Sequence, residues 1–146
     1  MTTVVFRDGV VATDSRITLS DYVTPTEIQK LFRHPYDGVI AICGYPTAAM
    51  RLVEWLCEGG IDAGHQPDIG ETSRVIHFHQ NCRRITVYEE KGSYVVDTPT
   101  FMAWGSGMSV ALGALHAGAD AQEAVVIASR VDPHTGGKIQ VMKVTQ

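Results

Sequence analysis

The chain has 146 residues, of which 45% are hydrophobic and 19% charged, a composition typical of one globular domain spanning residues 1–146. Its formal net charge of -4 provides no basic surface for DNA or RNA, so nucleic acid is not expected as a partner. Apolar runs such as Val39–Cys43 have about five residues, whereas a membrane-spanning helix needs about 20, so no membrane partner is expected.

The first predicted element is a β-hairpin at the N-terminus. Thr2–Phe6 and Val10–Asp14 are rich in β-branched residues, and the Asp8-Gly9 pair between them favours a tight hairpin turn. Such a hairpin would bring Thr2 and Asp14 into the same neighbourhood. Further extended segments are predicted at residues 22–23, 27–33 and 38–43, with a turn at 34–37.

A helix is predicted from Thr47, because apolar residues then recur at helical spacing as far as Leu56, before Gly59-Gly60. Residues 59–72 contain too much glycine and aspartate for a stable helix and are predicted to form a loop. Four strand-like runs follow, which together predict an antiparallel meander: residues 74–79, 84–89, 93–97 and 100–104.

Helical spacing returns from Met108 to Leu115 and ends at Gly118. Asp120 and Glu123 form a capping-box pattern that predicts the start of another helix. The residues of this helix expected to face inward are Ala124, Ile127, Ala128 and Val131. A last strand is predicted at residues 138–144. This order of elements predicts an α+β fold with stacked sheets and helices outside.

The second residue of the chain is a candidate nucleophile. Thr2 follows Met1, and an aminopeptidase removes an initiator methionine readily when the next residue is small. A freed Thr2 would carry a hydroxyl and an α-amino group, whose pKa near 7.7–8.0 leaves part of it unprotonated at neutral pH. That amine can take the hydroxyl proton, which is the threonine variant of activated-nucleophile catalysis.

Five further segments accompany Thr2, and together they extend over almost the whole chain. These segments are Gly9–Arg16, Ile28–Leu31 with Lys30, Ile42–Gly44, Gly105–Gly107 and Asp132–Gly137. In order and spacing they resemble the proteasome β-subunit and HslV-type branch of the N-terminal nucleophile hydrolases. The resemblance implies a four-layer αββα sandwich. Members usually carry a second helix after the first, where this chain has only the predicted loop at 59–72, so that helix is expected to be missing.

The resemblance also implies a threonine-type endopeptidase in which Thr2 is the nucleophile and its own amine the base. Lys30 lies at the matching position and would lower the pKa values of the amine and hydroxyl by its positive charge. Asp14 would keep Lys30 charged and oriented, since a buried ammonium is otherwise unfavourable. Gly44 would donate its backbone N–H to the oxyanion.

Three more residues complete the implied site. Ser106 matches the serine that hydrogen-bonds the terminal amine in this family, and Asp132 and Thr135 match a supporting acid and hydroxyl. Thr135 stands where relatives often have serine, and the hydroxyl is retained. The same register implies an apolar specificity pocket and therefore cleavage after large apolar residues. Its expected lining residues are Ile17, Ile28, Ile42 and Met50.

The resemblance further implies the partners. Relatives assemble into stacked rings of six or seven subunits whose threonines face an inner chamber, which only unfolded chains can enter. The expected partners are therefore a homo-oligomeric ring, a polypeptide substrate and an ATP-dependent unfoldase, and no cofactor is expected. The sequence gives no ring size, unfoldase or physiological substrate.

The cysteines and histidines indicate neither disulfides nor a metal site. Three widely spaced cysteines suit free thiols in a reducing compartment, and without a secretory signal pattern a cytoplasmic location is expected. His77 and His79 share one face of a predicted strand, and His65 could join them. Because no fourth ligand follows at a recognisable spacing, no zinc site is expected.

The sequence is also compatible with two other functions. The first is a non-catalytic ring or scaffold protein that keeps the fold while Met1 is retained, which leaves no free amine on Thr2. The second is an amidase of the same fold that acts on a small amide. Loss of Met1 is required by the peptidase hypothesis and is unnecessary for the scaffold.

Overall fold

The computed structural model describes residues 2–146 and shows an α+β fold with antiparallel sheets; Met1 lies outside the described residues. The strands are β1 (Thr3–Arg7), β2 (Val10–Thr13), β3 (Arg16–Leu19), β4 (Tyr22–Glu27), β5 (Leu31–Arg33), β6 (Val39–Cys43), β7 (Arg74–Phe78), β8 (Arg84–Tyr88), β9 (Ser93–Asp97), β10 (Phe101–Gly105) and β11 (Gln140–Lys143). The helices are α1 (Pro46–Cys57), α2 (Met108–His116) and α3 (Ala121–Ser129). None of the helices in residues 2–146 is long and apolar enough to cross a bilayer.

The described chain divides into two compact units. Unit 1 contains residues 2–31 and 99–143, and unit 2 contains residues 32–98 and 144–146. Unit 1 carries a four-stranded sheet in the order β10-β1-β2-β11 together with the β3–β4 pair. Unit 2 is built on a five-stranded sheet in the order β5-β6-β7-β8-β9.

The predicted N-terminal hairpin of unit 1 is confirmed. Strands β1 and β2 pair antiparallel with Arg7 opposite Val10, which leaves a two-residue turn at Asp8 and Gly9. These two residues have φ angles of 50° and 75°, as a tight turn matching the twist of the strands requires. The strands begin or end one residue away from the predicted limits.

Strand β10 is the fourth of the runs predicted to form one meander, and that prediction was wrong. β10 pairs antiparallel with β1 in unit 1, with Thr3 opposite Gly105, whereas β7, β8 and β9 do form the meander in unit 2. The reason is packing, because Ala103 of β10 is fully buried in an alanine-rich core with Val5 and residues of α2 and α3. This pairing places the segment after β10 beside the start of the chain.

Helix α3 begins as the sequence predicts, with a complete capping box between Asp120 and Glu123. The inward orientation predicted for Val131 was wrong, since this residue is 65% exposed. The helix ends at Ser129, so the helical spacing no longer applies at Val131. The final strand is also shorter than predicted and covers only β11.

The single extended segment predicted at 27–33 is interrupted. β4 ends at Glu27 and β5 begins at Leu31, so Lys30 lies between strands and not on one. The backbone N–H groups of Lys30 and Leu31 both donate to the side-chain oxygen of Gln140, in place of a strand partner. Strand β3, which pairs with β4, was not predicted.

In unit 2, helix α1 packs on the sheet through a core that includes Ile40, Leu52 and Val75. The helix starts at Pro46, because proline has no N–H to leave unpaired at the first helical position. Between α1 and β7 the chain forms a short 3-10 helix at Gly60–Ala63. The rest of the segment predicted as a loop at 59–72 is irregular.

Candidate active site

Ser106 contacts the first described residue of the chain. The backbone N–H of Thr2 donates to Ser106 Oγ at 3.2 Å, and Thr2 is 1% exposed. The glycines on either side of Ser106 make this approach possible. A Cβ on Gly105 would collide with the carbonyl oxygen of Thr2, and one on Gly107 would collide with Thr3 Oγ1. The Gly-Ser-Gly segment is therefore shaped to fit the start of β1.

Asp132 connects Ser106 to Thr135. Its Oδ2 atom accepts hydrogen bonds at 2.6 Å from both hydroxyls. Because Thr135 donates to the carboxylate, its Oγ1 accepts from the hydroxyl of Thr3 at 2.7 Å. The network thus holds the second and third residues of the chain by the Thr2 backbone nitrogen and the Thr3 hydroxyl.

Asp132 is stabilised as a carboxylate. Burial raises its pKa, but hydrogen bonds from Ser106, from Thr135 and from the backbone N–H of His134 outweigh that effect. The pKa of Asp132 therefore lies below its usual value, and the group is an anion at neutral pH.

A buried ion pair also contacts the N-terminal residues. Lys30 Nζ donates to Asp14 Oδ1 at 3.1 Å and to the carbonyl of Arg16 at 2.7 Å. The Asp14 and Lys30 side chains are 0% and 4% exposed. Asp14 Oδ1 also accepts the backbone N–H of Thr3 at 3.3 Å. The ammonium is therefore within two hydrogen-bond lengths of the backbone of Thr3.

The second oxygen of Asp14 is also satisfied. Oδ2 accepts backbone N–H groups of Arg16 at 3.2 Å and Gly136 at 3.0 Å. A buried charge is tolerated only with an opposite charge and further hydrogen bonds, and Asp14 has both. Unit 1 therefore brings together six of the seven residues predicted for catalysis, which are Thr2, Asp14, Lys30, Ser106, Asp132 and Thr135.

Gly44, the seventh, belongs to unit 2, where it follows β6 with a φ angle of 91°. A Cβ there would lie 2.6 Å from the Ser73 Cα and the Thr72 carbonyl, so the local backbone itself requires a glycine. The predicted pocket residues are also divided between the units. Ile17 and Ile28 are half-buried in unit 1, while in unit 2 Ile42 is buried in the core and Met50 packs against that core. Their roles remain predictions.

Unit 2 holds a polar cluster whose third member was not predicted. His77 and His79 lie two residues apart at the end of β7, and the side chain of Asp37 joins them from the turn before β6. The sequence paired these histidines with His65 instead, because spacing along the chain does not reveal that the turn approaches β7. The one sequence feature that points to Asp37 is its place in the His34–Asp37 turn, which brings a histidine and a carboxylate close together along the chain.

The pKa values of His77 and Asp37 are shifted downwards. Burial lowers the pKa of His77 to about 4, although its hydrogen bond to the carbonyl of Asp37 opposes the shift. Burial raises the pKa of the Asp37 carboxyl, but hydrogen bonds from the Gln80 N–H and from His79 bring it below its usual value. At neutral pH the cluster therefore pairs a neutral His77 with an anionic Asp37.

Comparisons with known proteins give matches only among solved structures. No protein-family model matches the chain, and no curated protein does. The chain is similar to the eukaryotic HslV from Trypanosoma brucei, with a TM-score of 0.67, 19% identity and coverage of 98% of this chain and 99% of that one. It is also similar to Thiobacillus denitrificans BPH, with a TM-score of 0.64, 19% identity and coverage of 99% and 98%. The structure of Thiobacillus denitrificans BPH in complex with epoxomicin is similar with a TM-score of 0.61, 20% identity and coverage of 99% of both chains.

These likenesses establish the fold. Coverage is nearly complete on both sides, so the whole chain, and not a fragment of it, corresponds to the HslV and BPH structures. The resemblance inferred from Thr2 and the five sequence segments is thereby confirmed as a proteasome-like fold. At 19–20% identity these structures show the fold alone, so the chemistry of this chain has to be argued from its own residues.

Proposed function

We propose that this chain is a threonine-type endopeptidase subunit whose nucleophile is Thr2 after removal of Met1. One observation carries the proposal: the backbone nitrogen of Thr2 is hydrogen-bonded to Ser106, which leads to the Asp132 carboxylate. Loss of Met1 turns that nitrogen into an α-amine already held by an acceptor. The buried Lys30–Asp14 pair beside the next residue supports the same function.

The proposed reaction is a two-step acyl transfer. Thr2 Oγ1 attacks the carbonyl carbon of the peptide bond while the Thr2 amine takes the hydroxyl proton. The resulting ammonium returns that proton to the leaving amine as the C–N bond breaks, and an ester on Thr2 remains. Water then attacks the ester, again with the amine as base, and frees both the new carboxyl group and the threonine hydroxyl.

The surrounding charges would have separate tasks in this reaction. The Lys30 ammonium provides the positive field that favours the unprotonated amine and the developing alkoxide. Ser106 orients the amine by accepting its N–H, and Asp132 and Thr135 hold Ser106 and Thr3 in place. Gly44 is proposed to donate its backbone N–H to the oxyanion. Ile17, Ile28, Ile42 and Met50 are proposed to form the apolar pocket for the residue before the cleaved bond.

We also propose the assembly implied by the likeness. Subunits would form stacked six- or seven-membered rings in the cytoplasm that enclose unfolded polypeptides delivered by an ATP-dependent unfoldase. The fold would be a single-domain four-layer αββα sandwich in which residues 59–72 take the place of the second helix. Size-exclusion chromatography with light scattering tests the ring, because a monomeric mass would exclude it.

The nucleophile is tested by intact mass and by two substitutions of one residue. Mature protein is expected to lack Met1, and Thr2→Ala is expected to abolish cleavage of unfolded casein. Thr2→Ser is the matched control, because it keeps both the hydroxyl and easy removal of Met1, and it is expected to retain measurable cleavage. Activity in Thr2→Ala would exclude Thr2, whereas Met1 retained in the native cell would favour the non-catalytic scaffold.

An epoxyketone such as epoxomicin tests the hydroxyl and the amine together. It is expected to add to Thr2 of the processed chain, with the adduct located by peptide mass spectrometry. A chain made while methionine aminopeptidase is inhibited provides the control, since its Thr2 nitrogen is an amide and should stay unlabelled. Fluorogenic peptides then test the pocket: those ending in Leu or Tyr should be cleaved faster than acidic or basic ones.

A further inference from the structure

Four of the six histidines of the chain line one cavity of unit 2. The cavity has a volume of about 990 Å³, and the histidines that line it are His34, His65, His77 and His79. The His77 ring lies between the other two, stacked on half-buried His34 at a centroid distance of 5.0 Å and tilted against buried His79 at 4.1 Å. Imidazoles are polar and would be replaced by apolar side chains if the cavity wall served packing alone. The proposed peptidase chemistry uses none of them.

Three side chains of this cluster have the arrangement of a metal site. Asp37 Oδ2 lies 2.6 Å from His79 Nδ1 and 3.9 Å from His77 Nε2, and one ligand atom from each residue falls within 4.8 Å of the others. In a tetrahedral zinc site with bonds of about 2.0–2.2 Å, ligand atoms are roughly 3.3 Å apart. Small side-chain rotations would therefore bring all three to bonding distance of one ion.

We propose that Asp37, His77 and His79 bind one divalent transition-metal ion of the Zn²⁺ type. Two imidazole nitrogens and a carboxylate oxygen are the donors that such an ion prefers. Because both histidines line the cavity, the fourth coordination position would open into it and hold water or a small ligand.

The partners that orient such ligands are already present. His79 Nε2 lies 2.8 Å from Thr86 Oγ1, so the ring is fixed through the nitrogen opposite the proposed ligand atom. Asp37 Oδ1 accepts the backbone N–H of Gln80 at 2.8 Å, which fixes the carboxylate in the same way. Metal-binding histidines and carboxylates characteristically carry hydrogen bonds of this kind on their remaining atoms.

Binding would change the tautomers of both histidines. Without metal, His79 Nδ1 and His77 Nε2 carry the protons, because each faces an oxygen of Asp37 that only accepts. The ion would take the lone pairs of these two nitrogens, and each proton would transfer to the other nitrogen of its ring. His79 Nε2–H would then donate to Thr86. Because each proton moves within its own ring, no net proton is released.

The experiment is a Zn²⁺ titration of the full chain by calorimetry after treatment with a chelator. Wild type is expected to bind one equivalent, and Asp37→Asn and His79→Gln to bind at least 100-fold more weakly. Thr86→Val should weaken binding about 10–100-fold, as loss of a partner to a ligand does. His116→Gln on α2 is the matched control and should bind like wild type. Equal loss in His116→Gln, or full binding by His79→Gln, would overturn the proposal.

Two measurements on wild type avoid variants that fail to fold. In ¹⁵N NMR spectra, Zn²⁺ is expected to move the His79 proton from Nδ1 to Nε2 while other imidazole signals, including that of His116, stay in place. In crystals soaked with Zn²⁺, the strongest anomalous peak should lie about 2 Å from the three ligand atoms. Unchanged His79 tautomers, or a peak only at surface histidines, would show that the cluster binds no metal.

Discussion

The two units bury polar groups in different ways. In unit 1 the Asp14 carboxylate is fully buried and has both an ammonium partner and two backbone N–H donors on its second oxygen. In unit 2 the Asp37 side chain is 37% exposed, and its carboxylate faces the imidazoles of His77 and His79 beside an open cavity. Unit 1 therefore balances its buried charges internally, whereas the unit 2 cluster retains donor atoms suited to a cation from outside.

The largest expected difference in stability is between two variants that each lose one carboxylate, Asp14→Ala in unit 1 and Asp37→Ala in unit 2. Asp14→Ala leaves the Lys30 ammonium buried without its partner and should lower the free energy of unfolding by about 3–5 kcal/mol. Asp37→Ala removes hydrogen bonds from Gln80 and His79 at a site that water reaches, and should lower it by about 1–2 kcal/mol. Urea unfolding of both variants in the absence of metal measures these changes in the free energy of unfolding. A larger loss for Asp37→Ala would reverse the comparison.

A smaller effect is expected from filling space in unit 1. Gly107→Ala places a methyl group onto Thr3 Oγ1 and 3.1 Å from Ala128, which should lower stability by about 1–3 kcal/mol. Gly113→Ala in α2 is the control, because its added Cβ would lie within 4 Å of no atom beyond the adjacent residues and the backbone of its own helix. It should raise stability by roughly 0.5–1 kcal/mol through helix propensity. The measurement is the Tm of both variants by thermal unfolding. A shift of both Tm values in the same direction would contradict the close packing of Gly107 against Thr3.

The smallest expected effect is a pH dependence that belongs to Asp132. Its pKa is lowered in the folded chain, so its contribution is present above the ordinary aspartate value near 3.8 and lost as pH falls towards the folded value. Asp132→Asn should therefore be less stable near pH 6, with a flatter decline between pH 5 and 3. The test is the urea concentration at the unfolding midpoint of wild type and Asp132→Asn between pH 5 and 3. If the midpoints of both proteins fall in parallel, the pH dependence does not belong to Asp132.

Features decided by local chemistry could be predicted from the sequence. The Asp8-Gly9 turn and the Asp120–Glu123 capping box each depend on residues adjacent along the chain, and both are present where predicted. Among the residues gathered in unit 1, Thr2 follows from its place after Met1 and Asp14 from the predicted hairpin. The roles of Lys30, Ser106, Asp132 and Thr135 follow only from the likeness to a family. Nothing in the composition around Ser106 or Thr135 alone distinguishes a site from an ordinary turn.

Features decided by tertiary contact could not be predicted. β10 pairs with β1 because Ala103 fits an alanine-rich core, although its sequence reads as a continuation of the preceding meander. Lys30 leaves the strand pattern because Gln140, more than 100 residues later, takes its backbone hydrogen bond. Asp37 reaches His77 and His79 across neighbouring strands, so their spacing in sequence gave no third ligand.

The burial of Thr2 has a consequence for when the chain can mature. An aminopeptidase must draw the residue after the scissile bond into its own cleft, and a Thr2 that is 1% exposed and hydrogen-bonded to Ser106 cannot be drawn out without opening the start of β1. If Met1 is removed as proposed, its cleavage would therefore have to precede the pairing of β1 with β10. For the proposed peptidase, processing ahead of folding would thus decide whether each copy gains a free amine on Thr2.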